Sequence, residues 1–176
     1  GLESHGDVSI VEFTAQKQFD LFLKVFVRLC VAWWVLGLLK YLPDELAKKT
    51  AGDFLDAFKS NKVEAAMKIA STPFYLKNRD LIKDKAELEK HFSEEFKKNA
   101  GKVNDLTHSV KEIHAFENIK EKINEDKEKI NEVLKDGDRV VLLEVKIGDK
   151  EMTVAIAVAL RQGKASVVGV SKVSEK

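Results

Sequence analysis

At 176 residues the chain can bury a core without disulfides or metals, and one ordinary domain with an appendage is the expected scale. Its 30 lysines and arginines against 29 acidic residues leave no basic excess, which argues against a nucleic-acid partner. The single cysteine, Cys30, excludes an intramolecular disulfide, and inside an apolar run it reads as a small hydrophobe rather than a nucleophile. A disulfide-free chain fits the cytoplasm and the exterior alike, so the localisation stays open.

The first 50 residues differ from the rest and form an N-terminal extension (1–50) to a domain at 51–176. Val8 to Phe13 could be a short strand. From Phe19, apolar residues recur at helical spacing through Phe22, Leu23, Phe26, Val27, Cys30, Trp33 and Trp34, with Lys17, Asp20, Lys24 and Arg28 opposite. From Leu29 to Leu39 there is no charge, and Pro43 is expected to end the run. Three readings fit: a membrane anchor through residues 21–39 if Lys24 and Arg28 snorkel, the apolar core of an export signal, or a helix packed within the fold or against a second copy. Trp33 and Trp34 suit membrane and protein interfaces alike.

Asp53 is a plausible N-cap for a helix with Phe54, Leu55 and Phe58 on one face. A second helix runs from Lys62 to Ala70, stopped by Ser71-Thr72-Pro73. Phe74 to Leu76 and Leu81-Ile82 read as a small hairpin, and Asp84 caps a third helix whose Leu88, Phe92 and Phe96 are spaced by four. Asn99-Ala100-Gly101 ends it. Ser109 to Phe116 reads as a strand. The charged stretch Glu117 to Lys135, with a sparse stripe of Ile119, Ile123, Ile130 and Val133-Leu134, suits a mostly exposed helix or a long β-hairpin tip, with the helix favoured. Asp136-Gly137-Asp138 is a turn, followed by strands at Arg139 to Ile147, Glu151 to Arg161 and Lys164 to Val173. The fold class expected is α+β: helices packed on a strongly curved, mostly antiparallel sheet, with an extra N-terminal apolar helix.

That order, with Phe54-Leu55-Asp56-Ala57-Phe58, the Leu81 to Leu88 approach to the third helix and the closing Leu160-Arg161-Gln162-Gly163-Lys164 hairpin, resembles the nuclear transport factor 2-like superfamily, also called SnoaL-like or cystatin-like. The departure is at Ala165 and Ser166, where that family often carries a tryptophan. The resemblance implies a cone-shaped sheet around an apolar pocket. It leaves activity open, because some members are isomerases, dehydratases or cyclases with an Asp/His or Asp/Tyr pair and others only bind a ligand, a partner or a second copy.

Acid-base chemistry in such a pocket needs a histidine or carboxylate beside a phenol or second carboxyl. The candidates are Tyr75, His91 and His114, each of which also reads as an ordinary surface or core residue, and the ligand-lining candidates are Phe74, Tyr75, Phe92 and Phe116. Glu144 and Arg161 are the polar residues of the long strands, expected to face solvent or pair across the sheet, and no Asp or Glu is clearly committed to a pocket. His5, His91, His108 and His114 lack ligand spacing for a metal, and phosphate-cradling loops and nucleophile elbows are absent, so no cofactor is expected. The favoured function is a module binding a small apolar ligand or a protein partner, with a homodimer open through the outer face of the sheet. An acid-base enzyme and a membrane-anchored or exported envelope protein are the alternatives.

Overall fold

The computed structural model describes the backbone of residues 4–175 and the side-chain surroundings of residues 12–38 and 42–175. Helix α1 spans Ser4–Lys59, and the chain divides into two compact units, Gly1–Leu42 and Pro43–Lys176. In the first unit the stretch that could have been a strand, Val8 to Phe13, is helical. A strand there would leave its backbone groups without a ladder, whereas a helix pairs them internally.

The second unit carries the core. Its part of α1 is followed by α2 (Val63–Ile69), β1 (Ala70–Leu76), α3 (Lys85–Asn99), β2 (Thr107–Ala115), α4 (Phe116–Ile119), α5 (Lys127–Val133), β3 (Arg139–Ile147), β4 (Lys150–Arg161) and β5 (Lys164–Glu175). The strands form one sheet in the order β1-β5-β4-β3-β2, with β1 parallel to β5 and the other pairs antiparallel. The architecture is therefore α+β, helices on a mixed but mostly antiparallel sheet. At the β4–β5 turn both Gln162 and Gly163 have positive φ, the backbone that a two-residue hairpin of matching twist requires.

Two expectations about α1 are corrected. Pro43 does not end the helix, and Asp53 does not start one. A proline removes one backbone donor and crowds one carbonyl. Here the helix persists because Ala47, Thr50, Ala51, Phe54 and Leu55, recurring at three- and four-residue intervals, are all buried. Asp53 lies on the exposed side, where its carboxylate accepts from Lys49 Nζ at 2.7 Å. The buried Thr50 hydroxyl is satisfied by the Leu46 carbonyl at 2.8 Å.

α3 follows its sequence signals closely: Asp84 Oδ1 accepts from the Glu87 backbone N–H at 3.0 Å, and Leu88, Phe92 and Phe96 are buried. Phe92 packs edge-on against Phe54 and Phe74 at 5.5 and 5.4 Å between ring centres and stacks on Phe96 at 5.7 Å. Each such pair adds about 0.5–1.5 kcal/mol beyond burial. The small hairpin shrinks to one bridge between Phe74 and Ile82, because β1 takes β5 as its long partner instead.

The charged stretch after β2 is also corrected. It is a broken segment, with α4, a 3₁₀ turn at Lys120–Lys122 and α5, rather than one solvated helix. Asp126, at φ +53, marks the break. Ile119, Ile123 and Ile130 pack against a second core of Tyr75, Phe116, Val133, Leu134, Ala159 and Val168. Burial of these sparse apolar residues outweighs the helix that their charged neighbours would favour in water.

Candidate ligand cavity

Alternation along β4 divides the sheet. Val154, Ile156 and Val158 join the main core under the helices, while Ala157 and Ala159 belong to the cluster under the 116–135 segment. On β1 the neighbours Phe74 and Tyr75 divide the same way. The two faces are referred to below as the helix face and the reverse face.

On the reverse face the sheet contributes small side chains, Ala155, Ala157 and Gly169, and the segment above contributes Ile119, Ile123, Ile130, Val133 and Leu134. Large residues facing small ones leave a hollow, an apolar cavity of about 460 Å³. Tyr75 forms one wall. It lies opposite Gly169 in the parallel β1–β5 register, and a Cβ at Gly169 would sit 3.0 Å from Tyr75 Cβ and 3.2 Å from its carbonyl oxygen. A side chain there would press on Tyr75, so glycine suits the close approach of the tyrosine.

The Tyr75 hydroxyl donates to Asp126 Oδ2 at 2.9 Å. Its pKa is pushed up to about 12, first by burial, then by the hydrogen bond to Asp126, and further by the charges of Asp126 and Glu125. Asp126 precedes α5 but does not cap it with its side chain, which is given to Tyr75 instead. Other polar groups in the lining are Lys77, Asn124, Glu125 and Ser171, with Lys77 Nζ 2.9 Å from Glu125 Oε2.

On the helix face a smaller apolar cavity of about 230 Å³ is lined by Phe54, Phe74, Phe92 and Phe96, with His91 and Glu95 among its polar members. Arg79 Nη1 lies 2.9 Å from His91 Nδ1. A guanidinium can only donate, so Nδ1 is an acceptor and the imidazole is neutral. Burial, and then the Arg79 charge, lower the His91 pKa accordingly.

The site residues expected from the sequence are therefore separated. Tyr75 lines the reverse-face cavity, while His91, Phe74 and Phe92 line the helix-face one. His114 is turned to Glu112, Nε2 to Oε2 2.8 Å, and lines neither cavity. Phe116 is buried in the reverse-face cluster. His108 Nε2 lies 2.8 Å from Asp56 Oδ1, linking β2 to α1. The side chain of His5 lies outside the described residues. Among the described residues no group of three His, Cys, Asp or Glu side chains is placed to hold a metal ion.

Sequence reasoning missed both the segment's isoleucines as cavity walls and Asp126 as the partner of Tyr75. The available signal was the apolar stripe inside a charged run, together with alanines alternating along β4. Asp138 lines neither cavity but is a buried carboxylate of the fold. Read as part of a turn, it is fully buried and accepts from the backbone N–H groups of Lys135 and Leu160 at 2.8 and 3.0 Å and from both terminal nitrogens of Arg161. Arg161 is thus paired to the turn that precedes β3 rather than across the sheet. Glu144 is exposed.

No protein-family model and no curated protein matches the chain. Among solved structures, a candidate ketosteroid isomerase from Kribbella flavida aligns over 73% of this chain and 76% of its own, with 11% identity and a TM-score of 0.41. A likeness that loose carries neither chemistry nor a ligand to this chain. The architecture is α+β, with helices covering one face of a mixed five-stranded sheet and a broken helical segment covering part of the other.

Proposed function

We propose that the unit from Pro43 onward is a binding module for a small, largely apolar ligand held in the reverse-face cavity. The observation that carries this reading is the lining itself: a hollow of about 460 Å³, walled by alanines, valines and glycine from the sheet and by isoleucines, Val133 and Leu134 from the segment. Ligand cavities typically span about 300–1,000 Å³ and are mostly apolar with a few polar groups that orient the ligand. Lys77, Asn124, Glu125 and Ser171 would supply that orientation.

A non-catalytic role is favoured over acid-base chemistry by separation, since a general base must lie within hydrogen-bond reach of the group it serves. Neither His91 nor His114 lines the cavity that holds Tyr75, and the Tyr75 hydroxyl donates to Asp126. A small ligand is also favoured over a dimer through the sheet, since the 116–135 segment already occupies part of the reverse face. In element order the module fits the nuclear transport factor 2-like superfamily, with the larger of its two apolar cavities on the face away from the helices.

The test is nuclear magnetic resonance titration of residues 43–176 with 1-decanol, following methyl signals. Shifts are expected at Ala155, Ala157, Ile119 and Ile130, and they should vanish in Ala157→Phe, which fills the hollow. Shifts at the helix-face cavity instead, or none at all, would overturn the assignment.

A further inference from the structure

We infer that the helix of the first unit spans a lipid bilayer through residues 21–39, a partner independent of the cavity reading. The large apolar side chains described between Leu21 and Leu38 are all exposed, Trp33 and Trp34 by 79% and 75%. They include runs of neighbours, such as Leu21-Phe22-Leu23 and Val25-Phe26-Val27, and at about 100° per residue three neighbours already face three sides of a helix. A second copy, or any packed protein face, would cover one stripe and leave the others in water. From Leu29 to Leu38 the helix carries no charge and is apolar all round, a surface that hydrocarbon covers completely.

Length and charge agree with that occupant. Residues 21–39 rise roughly 28 Å at 1.5 Å each, close to the ~30 Å hydrocarbon core. An 18-residue window in this helix reaches a mean hydropathy of 2.0 with none of it buried. Of the charges inside the span, Lys24 lies about 4–5 Å from its start, within reach of the lipid surface through its stem, whereas Arg28 lies close to mid-span and costs about 2.5–3.5 kcal/mol there, which the surrounding apolar residues offset.

The experiment uses the whole chain, tagged at both ends and expressed in a bacterium. The expected result is that the protein carries both tags and floats with lipid in a density gradient after an alkaline carbonate wash. Cys30, the chain's one cysteine, then provides a native probe near mid-span. It should react with a membrane-impermeant maleimide at least tenfold more slowly in intact vesicles than after solubilisation in denaturing detergent. In V31R/L36R most of the protein should leave the floated fraction. Release of the unmodified chain by carbonate, or equal labelling of Cys30 before and after solubilisation, would overturn the inference. So would a mature chain that has lost its N-terminal tag together with the helix, as a cleaved export signal would. The labelling readout needs no variant, so misfolding of V31R/L36R does not rescue the inference.

Discussion

At the scale of single residues, Tyr75 joins structure to chemistry most directly. Its ring lies against β5 where residue 169 has no side chain, and its hydroxyl reaches Asp126 where that residue takes a left-handed backbone. The phenol is neutral when protonated, and its folded pKa of about 12 lies above the ordinary value of 10.0. The stability it contributes is therefore complete below the unfolded value and disappears as pH rises through the folded one. The chain has two tyrosines, so a Tyr41→Phe background isolates Tyr75. Phenolate absorbance should then rise near pH 12 in the folded protein, and at lower pH in Asp126→Asn, which removes the carboxylate charge while burial, the larger cause, remains. An identical titration in Asp126→Asn would show that the Asp126 contact does not form.

At the scale of elements, the 116–135 segment is the least conventional part of the molecule. Exposed ion pairs hold its outer side, such as Lys83 with Glu132 at 3.0 Å and Lys129 with Asp80 at 3.4 Å, and each contributes little. Its attachment depends on its isoleucines and on Asp138, which ties the end of the segment to the end of β4. Asp138→Ala removes the carboxylate that accepts from two backbone N–H groups, those of Lys135 and Leu160, and that pairs with Arg161. Because Arg161 is itself part-exposed, we expect a loss of about 2–3 kcal/mol rather than the 3–5 typical of a wholly buried pair. Urea denaturation measures it, with Asp138→Asn losing less because it keeps an acceptor oxygen. A loss below about 0.5 kcal/mol would remove Asp138 from this role. The sequence displayed the segment's apolar stripe but not its destination, since charged neighbours on every side favour a solvated helix equally well.

At the scale of the whole molecule, the two compact units differ in kind. The unit from Pro43 onward holds the entire buried aromatic cluster, Phe54, Phe74, Phe92 and Phe96, whereas the apolar side chains described at positions 12–38 are exposed. Stability should accordingly reside in the second unit. A chain starting at Pro43 is expected to stay soluble and to unfold cooperatively at the same urea midpoint as the full chain kept in mild detergent, with circular dichroism as the readout. Proline at a helix start costs nothing, since its missing donor would be unpaired there anyway. Aggregation or loss of cooperativity in the shortened chain would mean that the first unit contributes to the core.

What the sequence determined by itself was local. Spacing by four set α3, alternation set β3 to β5, Asp84 supplied a cap, and the Gln162-Gly163 pair closed a hairpin. Each of these signals lies within a few residues of its consequence. The long α1 was read as two shorter helices because Pro43 and Asp53 are local stop and start signals, and burial of Ala47 to Leu55 overrode them. The cavity was decided only by tertiary structure. It is the difference in volume between Ala155, Ala157 and Gly169 on two strands and isoleucines on a third element, far apart in the chain. The separation of Tyr75 from His91 has the same origin: alternation shows that Phe74 and Tyr75 face opposite ways, but only the packing of the helices and the 116–135 segment determines what each face meets.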